Sequence, residues 1–254
     1  MRAIGKENVW FSFKGIRNDE VGVYMLSMPT RPHPARKGKV IDIPGGGDLW
    51  QDEGDFKRII IPIRLITLDN ANIDGVNAWL SGEGELIFGD EPERAYRARI
   101  TKEFSRSNRS QRLRGQEFTV SFDCEPYRFK VGDMFETPGY SMAYPSASTL
   151  VPINNEGTAD AWPVFEVSTK GSGGTIAING KTLIVNGSPN TIYIDCGAKY
   201  AYSINDDGTY AAASMYVGGD WPYLTPGDNT LRIDPAAVTG SRISVLMRVR
   251  WRWL

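Results

Sequence analysis

Apolar and polar residues alternate with a period of two, and this is the dominant local pattern of the sequence. In the run Ile59 to Leu65 the odd positions are all apolar, and Phe118 to Cys124 repeat the pattern. A period of two is that of a strand with one buried face and one wet face. Pro62 cannot donate a ladder hydrogen bond, so its strand is expected at an edge or a bulge. The alternation predicts a mainly β protein.

One segment, residues 69–80, is typical of a short helix. Asp69 or Asn72 is available as its N-terminal cap, because short polar side chains accept from the free backbone N–H groups there. The apolar residues of its predicted buried side are Ile73, Val76 and Leu80. Gly82 then permits a turn back into a strand.

The length of 254 residues favours two domains of ordinary size. The alternation stops between Val131 and Ser148, where glycine, proline and serine take over. We therefore predict domains at residues 1–130 and 148–254, joined by a connection at 131–147. Phe135, Tyr140 and Tyr144 in that connection favour a packed segment over a free tether.

The second half contains short apolar runs separated by turn residues. Asn179-Gly180 lies between two such runs, and a two-residue hairpin turn requires positive φ at both positions, which this pair tolerates. Strands at this spacing without a helical pattern between them indicate a β-sandwich. Near the end, apolar residues from Val245 to Trp253 alternate with Arg248, Arg250 and Arg252. This pattern predicts one strand whose arginines form either a phosphate ladder or a solvated face.

Charge and hydropathy argue against several classes of protein. The 29 basic and 30 acidic residues give a formal net charge of −1, which does not favour wrapping nucleic acid or adsorbing to anionic lipid. Apolar runs are far shorter than the roughly 20 residues of a membrane helix. Residues 1–8 lack the apolar core of a secretory signal, so synthesis in a cytoplasm is expected. Cys124 and Cys196 each close an apolar alternation, and we predict two buried thiols without a disulfide.

The sequence offers no convincing catalytic or metal site. Its single histidine, His33, stands between prolines and beside cations, without a carboxylate to orient it. The densest acidic group does not match a calcium loop and is expected at a polar hairpin tip; its members are Asp48, Asp52, Glu53 and Asp55. The glycines at 45–47 and 171–174 lack the Lys-Ser/Thr of a phosphate loop and predict turns. We expect neither enzymatic activity nor a cofactor, although neighbouring carboxylates such as Glu83 and Glu85 leave a glycosidase as a remote alternative.

Four segments of the first half, in order, resemble the distal tail protein family of long-tailed, non-contractile bacteriophages. They are Phe13 to Tyr24, Val40 to Gly54, Trp79 to Pro92 and Phe118 to Tyr127. The second half is similar to that family more loosely, through Asn154 to Gly157, Trp162 to Phe165, Trp221 to Leu231 and the arginine-tryptophan ending.

The resemblance implies an N-terminal β-barrel-like domain with one short helix and a C-terminal galectin-like β-sandwich. It further implies a homo-oligomer, a hexameric ring that is possibly stacked on a second ring, at the tip of the virion tail. Such a ring joins the tail tube protein to a tail-associated hub or fibre protein, and DNA transits its channel without specific binding. A near-neutral chain fits that passage, because a channel that transmits DNA should not hold phosphates tightly.

Two sets of residues are assigned roles as hypotheses. Ile60 and Ile66 lie on the face of their strand opposite Ile59, Ile61 and Ile63, and a strand with apolar residues on both faces needs a second cover. We expect that cover in a neighbouring subunit of the ring. The alternative function is a carbohydrate-binding module for host-wall attachment, with Trp162 or Trp221 stacking a sugar. Each of these tryptophans precedes a proline, which is also typical of an extended strand end.

Overall fold

The structure is a computed structural model that describes residues 9–68, 72–104, 115–132, 140–142, 147–237 and 241–254. The chain divides into two compact units, unit 1 (Met1–Val131 with Leu254) and unit 2 (Gly132–Trp253). Residues 133–139 and 143–146 of the predicted connection lie outside the described residues, as do residues 1–8. The domain boundaries at 130 and 148 therefore stay a prediction.

Unit 1 consists of antiparallel strands and one described α-helix. The elements are β1 (Phe11–Phe13), β2 (Ile16–Arg17), β3 (Val23–Met25), β4 (Arg36–Asp42), β5 (Asp48–Phe56), β6 (Ile59–Leu68), α1 (Ile73–Trp79), β7 (Glu83–Phe88), β8 (Arg94–Ile100) and β9 (Gly115–Lys130). The main sheet has the order β2-β1-β7-β8-β9-β6-β3 and curls into a half-barrel, while β4 and β5 pair only with each other.

The concave side of the curled sheet holds the core of unit 1. The odd residues of β6 are buried from Ile59 to Leu65, and they lie opposite Cys124 to Phe118 of β9. Strand β3 pairs only with residues 65–67 of β6, so the edge of β6 away from β9 has no described partner at Pro62. Both the alternation and the edge position of the proline are confirmed.

Helix α1 lies against this core by one side. Asn72 is its N-cap, and its side chain accepts a hydrogen bond from the Gly75 backbone N–H; Asp69 lies outside the described residues. The expectation that Ile73 is buried is wrong, since its side chain is exposed. The buried side is continued by Trp79, whose ring stacks on Phe11 at 5.5 Å and whose Nε1 donates to the Phe13 carbonyl oxygen at 2.9 Å.

Unit 2 is a sandwich of two antiparallel sheets. Its elements are β10 (Tyr140–Met142), β11 (Thr149–Asn155), β12 (Val164–Lys170), β13 (Gly174–Ile178), β14 (Lys181–Val185), β15 (Ile192–Asp195), β16 (Tyr200–Ile204), β17 (Tyr210–Ala212), a 3-10 helix (Ser214–Tyr216), β18 (Val217–Gly219), β19 (Gly227–Pro235), β20 (Arg242–Arg248) and β21 (Arg252–Trp253). The sheets have the orders β10-β20-β12-β15-β16-β17 and β11-β19-β13-β14-β18. One apolar core is built from both sheets, so the mainly β fold class predicted from the sequence is confirmed.

The Asn179-Gly180 hairpin is also confirmed. Asn179 has φ 51° and Gly180 has φ 80°, and the flanking residues Ile178 and Lys181 are directly paired. The Asn179 side chain donates to the Asn229 Oδ1 at 2.6 Å, which fixes the turn against the strand β19.

The single terminal strand predicted from Val245 to Trp253 is wrong. Strand β20 stops at Arg248, and β21 is a separate strand whose Arg252 bridges to Ala159. The described arginines are bound rather than solvated: Arg248 forms an ion pair with Glu166 at 2.7 Å, and Arg252 Nε donates to the Asp160 carbonyl oxygen at 2.6 Å. The apolar members of the alternation are nevertheless buried, as predicted.

Candidate functional site

Of the side chains considered for catalysis, Glu83 and Glu85 lie on β7 opposite Arg99 and Arg97 of β8. His33 and the neighbouring acids Asp90 and Glu91 make structural contacts. His33 is exposed in the loop before β4, with its Nδ1 3.0 Å from the Pro34 carbonyl oxygen and its ring edge against Phe56. Glu91 accepts from Arg31 at 3.2 Å and from Arg128 at 2.8 Å, and its neighbour Asp90 pairs with Arg31. Within the described ranges no three His, Cys, Asp or Glu side chains are grouped to hold a metal.

Both thiols are free and buried, in the cores of different units. Burial raises the pKa of Cys124 to about 12 and raises the pKa of Cys196 still further. Because the thiolate is the reactive form, burial and the raised pKa both slow the reaction of these thiols in the folded protein.

We therefore expect the cysteines of the native protein to resist labelling by a disulfide reagent such as DTNB near neutral pH. Both cysteines should react, each releasing one coloured thiolate from the reagent, only after the protein is unfolded in guanidinium. Absorbance of the released thiolate measures both rates. Rapid labelling of one equivalent in the folded protein would contradict the burial of that cysteine.

The most exposed apolar feature of unit 1 is the hairpin of β4 and β5, which we call the arm hairpin. Val40 faces Trp50 and Ile41 faces Leu49 across the pair, and these four side chains are 42–60% exposed. Trp50 lies across Gly38, where an added Cβ would stand 2.3 Å from the indole. Two isolated strands are marginal in water, so apolar pairs on such a hairpin favour a protein partner.

The acidic group predicted at a hairpin tip lies elsewhere. Residues 48–55 belong to β5, and the tip is formed by residues 43–47, where Gly45 has φ 79° and Gly46 N donates to the Ile43 carbonyl oxygen at 2.9 Å. The glycine triplet thus lies in a turn, as predicted. The acidic residues follow this turn and lie along β5.

These acids fix the base of the arm hairpin. Asp55 accepts from Lys37 at 2.8 Å, and this hydrogen bond holds the pKa of Asp55 below its usual range. Asp52 forms an ion pair with Arg36 at 3.1 Å. The register of the two strands shifts between Arg36 and Gly38, and Gly54 on the opposite strand has a positive φ of 77° at this irregularity. Strand β5 was not predicted, because most of its residues are polar and exposed and its sequence has no alternation that faces a core.

The two residues assigned to a ring interface lie on the convex side of the curled sheet. Ile60 is 38% exposed and faces Asp123 of β9. Ile66 is half-buried, between Glu117 of β9 and the exposed Tyr24 of β3. A partner protein could therefore contact Ile60 fully and Ile66 in part. No described element of unit 1 brings the two side chains together into a pocket.

Trp162 and Trp221 are half-buried and pack against the core of unit 2. The Trp162 ring lies 4.9 Å from that of Tyr223, tilted by 46°. Since Trp162 and Trp221 both contribute to packing, their use as sugar platforms stays a hypothesis.

Several charged groups of unit 1 are paired, among them Asp123 with Arg58 and Arg99, and Glu91 with Arg128. The described residues contain no helix long and apolar enough to cross a membrane.

Comparison with known proteins agrees with this description. Residues 156–251 match the family model of the siphovirus-type tail component, C-terminal domain. The fold matches the crystal structure of the Dit (gp 19.1) protein of SPP1, described as a paradigm of hub adsorption apparatus in Gram-positive infecting phages. That match has a TM-score of 0.66 at 15% identity and covers 96% of this chain and 99% of the other. A search of curated proteins gave no match.

Residues 156–251 thus resemble a siphovirus-type tail-component domain, and nearly the whole chain has the fold of the SPP1 Dit protein. Together these matches support a siphovirus distal tail protein, and they confirm the resemblance that the sequence predicted.

Proposed function

We propose that this chain is the structural hub of a phage tail tip, located in the virion and made in the host cytoplasm. Six copies form a ring that joins the tail tube to the host-adsorption apparatus, and DNA passes through the central channel. The observation that carries the proposal is the fold likeness over 96% of the chain to a protein described as a hub of an adsorption apparatus. The matched tail-component model in residues 156–251 supports the same assignment.

The arm hairpin supplies the contact that a ring requires. Its exposed apolar pairs, Val40 with Trp50 and Ile41 with Leu49, lie on a two-stranded element that contributes little to the core of unit 1. We assign the other half of the interface to the convex side of the curled sheet, at Ile60 and Ile66. An arm on one copy and a sheet face on the next form a heterologous contact, which closes into a ring when the rotation fits.

The charge of the chain is consistent with a channel. A net charge of −1 gives no strong overall attraction for phosphates, so DNA is transmitted rather than retained. A hub also needs no catalytic group, since its task is to hold several proteins in register.

We expect the double variant Leu49→Ser, Trp50→Ser to lose the ring while keeping its fold, because both side chains are exposed and hold no described core. Mass photometry of wild-type protein should show a six-chain species, and the variant should run as a monomer or small oligomer. The matched control is Leu150→Ser, because Leu150 is 63% exposed and lies in unit 2, away from the arm hairpin in sequence. A monomeric wild-type protein, or a variant that still forms the ring, would contradict the proposal.

The domain boundaries are part of the proposal. Limited proteolysis of the full chain should cut first within residues 131–147 and yield two resistant fragments. Mass spectrometry of the fragments locates the cut, and a first cut inside residues 15–127 would move the boundary.

A further inference from the structure

The arm hairpin has two faces of different character, because successive residues of a strand point to opposite sides. One face carries the directly paired side chains of Val40 and Trp50. Two residues nearer the tip, the same face carries the directly paired carboxylates of Asp42 and Asp48. All four residues are exposed. This face, which we call the acidic face, therefore places a concentrated negative charge beside an exposed apolar pair.

The two carboxylates at the tip are not neutralised by the hairpin itself. Asp52, nearer the base, is paired with Arg36, and Asp55 is paired with Lys37. In the part of the chain that the structure describes, no cation lies against Asp42 or Asp48 in this way. The tip pair is thus able to accept a cation from outside the hairpin.

The opposite face of the arm hairpin has the opposite sign of charge. It carries the paired side chains of Ile41 and Leu49, and next to them Lys39 opposite Gln51. Lys39 is exposed. Both faces are apolar in part, so it is charge that distinguishes which of them suits a basic surface.

A second exposed apolar patch lies on unit 1 where β3 meets β6, and we call it the sheet corner. Tyr24 is directly paired with Ile66, and the Leu26 backbone N–H donates to the Arg64 carbonyl oxygen at 3.0 Å, which places Leu26 beside Arg64. These residues alternate with the buried residues of their strands, so they share the convex face. Tyr24 is 42% exposed and Leu26 is 41% exposed.

Arg64 is the charged group of the sheet corner. Its side chain is 67% exposed, and its guanidinium lies 3.7 Å from the carboxylate of Glu117, which is beyond hydrogen-bond distance. Such a loose pair in water contributes little to stability. Carboxylates that approach more closely can therefore take over Arg64 at little cost.

We propose that the acidic face of the arm hairpin of one copy covers the sheet corner of the next copy, with Arg64 held by Asp42 and Asp48. The inference rests on the proposed ring and specifies the contact that closes it. It adds Tyr24, Leu26 and Arg64 to the convex side, and it makes Arg64 the residue that sets the register of the arm.

The spacing of the two surfaces agrees with this contact. The apolar pair and the carboxylate pair of the acidic face are two residues apart, as are Ile66 and Arg64, and two residues of a strand span about 7 Å in both cases. When the carboxylates reach Arg64, the apolar pair therefore reaches Ile66 and its neighbour Tyr24. The opposite face of the arm would bring Lys39 towards Arg64, and like charges oppose that arrangement.

The occupant is a second copy because the two surfaces do not cover each other within one chain. Each is exposed in the single chain, although each is apolar and of opposite charge to the other. Strand β4 has 7 residues, a length of about 24 Å, so its tip extends to a neighbouring molecule.

The test is mass photometry of the full-length chain. Arg64→Glu should disrupt the six-chain species, and so should the double variant Asp42→Lys, Asp48→Lys, because each puts like charges at the contact. Half-assembly should require about tenfold more protein or higher. Arg64→Gln, which removes the charge without reversing it, should weaken assembly less than Arg64→Glu does.

An equimolar mixture of Arg64→Glu and the double variant should recover the six-chain species. In a ring where the two variants alternate, every arm meets a sheet corner of the opposite charge, so this recovery also shows that both variants are folded. The matched control is Lys39→Glu, which reverses a charge on the opposite face of the arm and should leave the ring intact.

The outcomes separate this contact from the ring itself. A monomeric wild-type protein would remove the ring and the contact together. A wild-type ring that tolerates both charge reversals would overturn the contact alone, and the arm or the sheet corner would then serve another tail protein. The contact is equally refuted by a mixture that stays disassembled while circular dichroism shows both variants folded, or by loss of the ring in Lys39→Glu.

Discussion

Replacing Phe122 by alanine should lower the stability of unit 1 by about 3–5 kcal/mol, the cost expected when a fully buried phenylalanine leaves a cavity. Phe122 has no exposed area, and its ring meets Phe13 edge-on at 5.1 Å and Phe11 at 6.0 Å. Phe11 and Phe13 lie on β1, which is separated from β9 in the sheet by the strands β7 and β8. The curl of the half-barrel therefore depends on this contact, because it joins strands that do not pair.

The matched variant is Phe165→Ala, which removes an equally buried phenylalanine from unit 2. Differential scanning calorimetry of the full chain should show one transition displaced by Phe122→Ala and the other by Phe165→Ala, since each unit has its own core. If both variants shift a single common transition, the two units unfold together and their separate stability is refuted.

The sequence predicted the elements that face a core. In β6 and β9 one side of each strand is buried, so the apolar residues repeat with the strand period and the pattern is visible without a structure. The Asn179-Gly180 turn was equally readable, because few residue pairs adopt positive φ twice in succession. In both cases the local sequence contains the physical cause of the structure.

The arm hairpin was not predictable in this way. Strand β5 is exposed from Asp48 to Gly54, so neither of its faces requires apolar residues and its sequence does not alternate. Its charged residues resemble those of a loop. Helix α1 was predicted correctly, and so was the burial of Val76 and Leu80, whereas Ile73 is exposed. The burial of Trp79 was missed because its contact with Phe11 joins residues far apart in sequence. A surface that depends on a partner or on long-range pairing has no local signature.

The tyrosine cluster of unit 2 shows the same limit. Tyr193, Tyr202 and Tyr210 stand on three strands, and only the register of those strands brings the rings of Tyr193 and Tyr210 to 5.3 Å from that of Tyr202. Trp162 and Trp221 were the candidate sugar platforms in the sequence instead, because each is a large aromatic residue in the predicted sandwich. In the structure both pack against a core, so residue type alone did not distinguish a packed ring from an exposed one.

Asp123 is the acid whose removal should cost unit 1 the most. Its carboxylate accepts from Arg58 Nε at 2.8 Å and Arg99 Nε at 3.0 Å, and Arg58 also donates to its carbonyl oxygen at 2.7 Å. Breaking a buried ion pair costs about 3–5 kcal/mol and an exposed one about 0–1. Because the Asp123 side chain is 12% exposed but those of Arg58 and Arg99 are 34% and 48% exposed, we expect Asp123→Ala to cost about 2 kcal/mol, between these limits.

The same contacts make the stability of unit 1 depend on pH. Burial by itself raises the pKa of Asp123, but the hydrogen bonds from Arg58 and Arg99 and their charges outweigh it, so the pKa is lowered in the folded protein. An acid with a lowered folded pKa stabilises the fold fully above its unfolded pKa of about 4, and this stabilisation is lost as pH falls through the folded pKa.

Asp123→Asn should therefore be less stable than wild type at about pH 7, and the difference should shrink as the pH falls below about 4. Urea unfolding of unit 1, followed by tryptophan fluorescence at a series of pH values, measures the difference directly. Asp48→Asn on the exposed arm hairpin is the control for a general change of charge, and its curve should run parallel to wild type. A gap between Asp123→Asn and wild type that stays constant down to about pH 2 would mean that the carboxylate is not held ionised by its arginines.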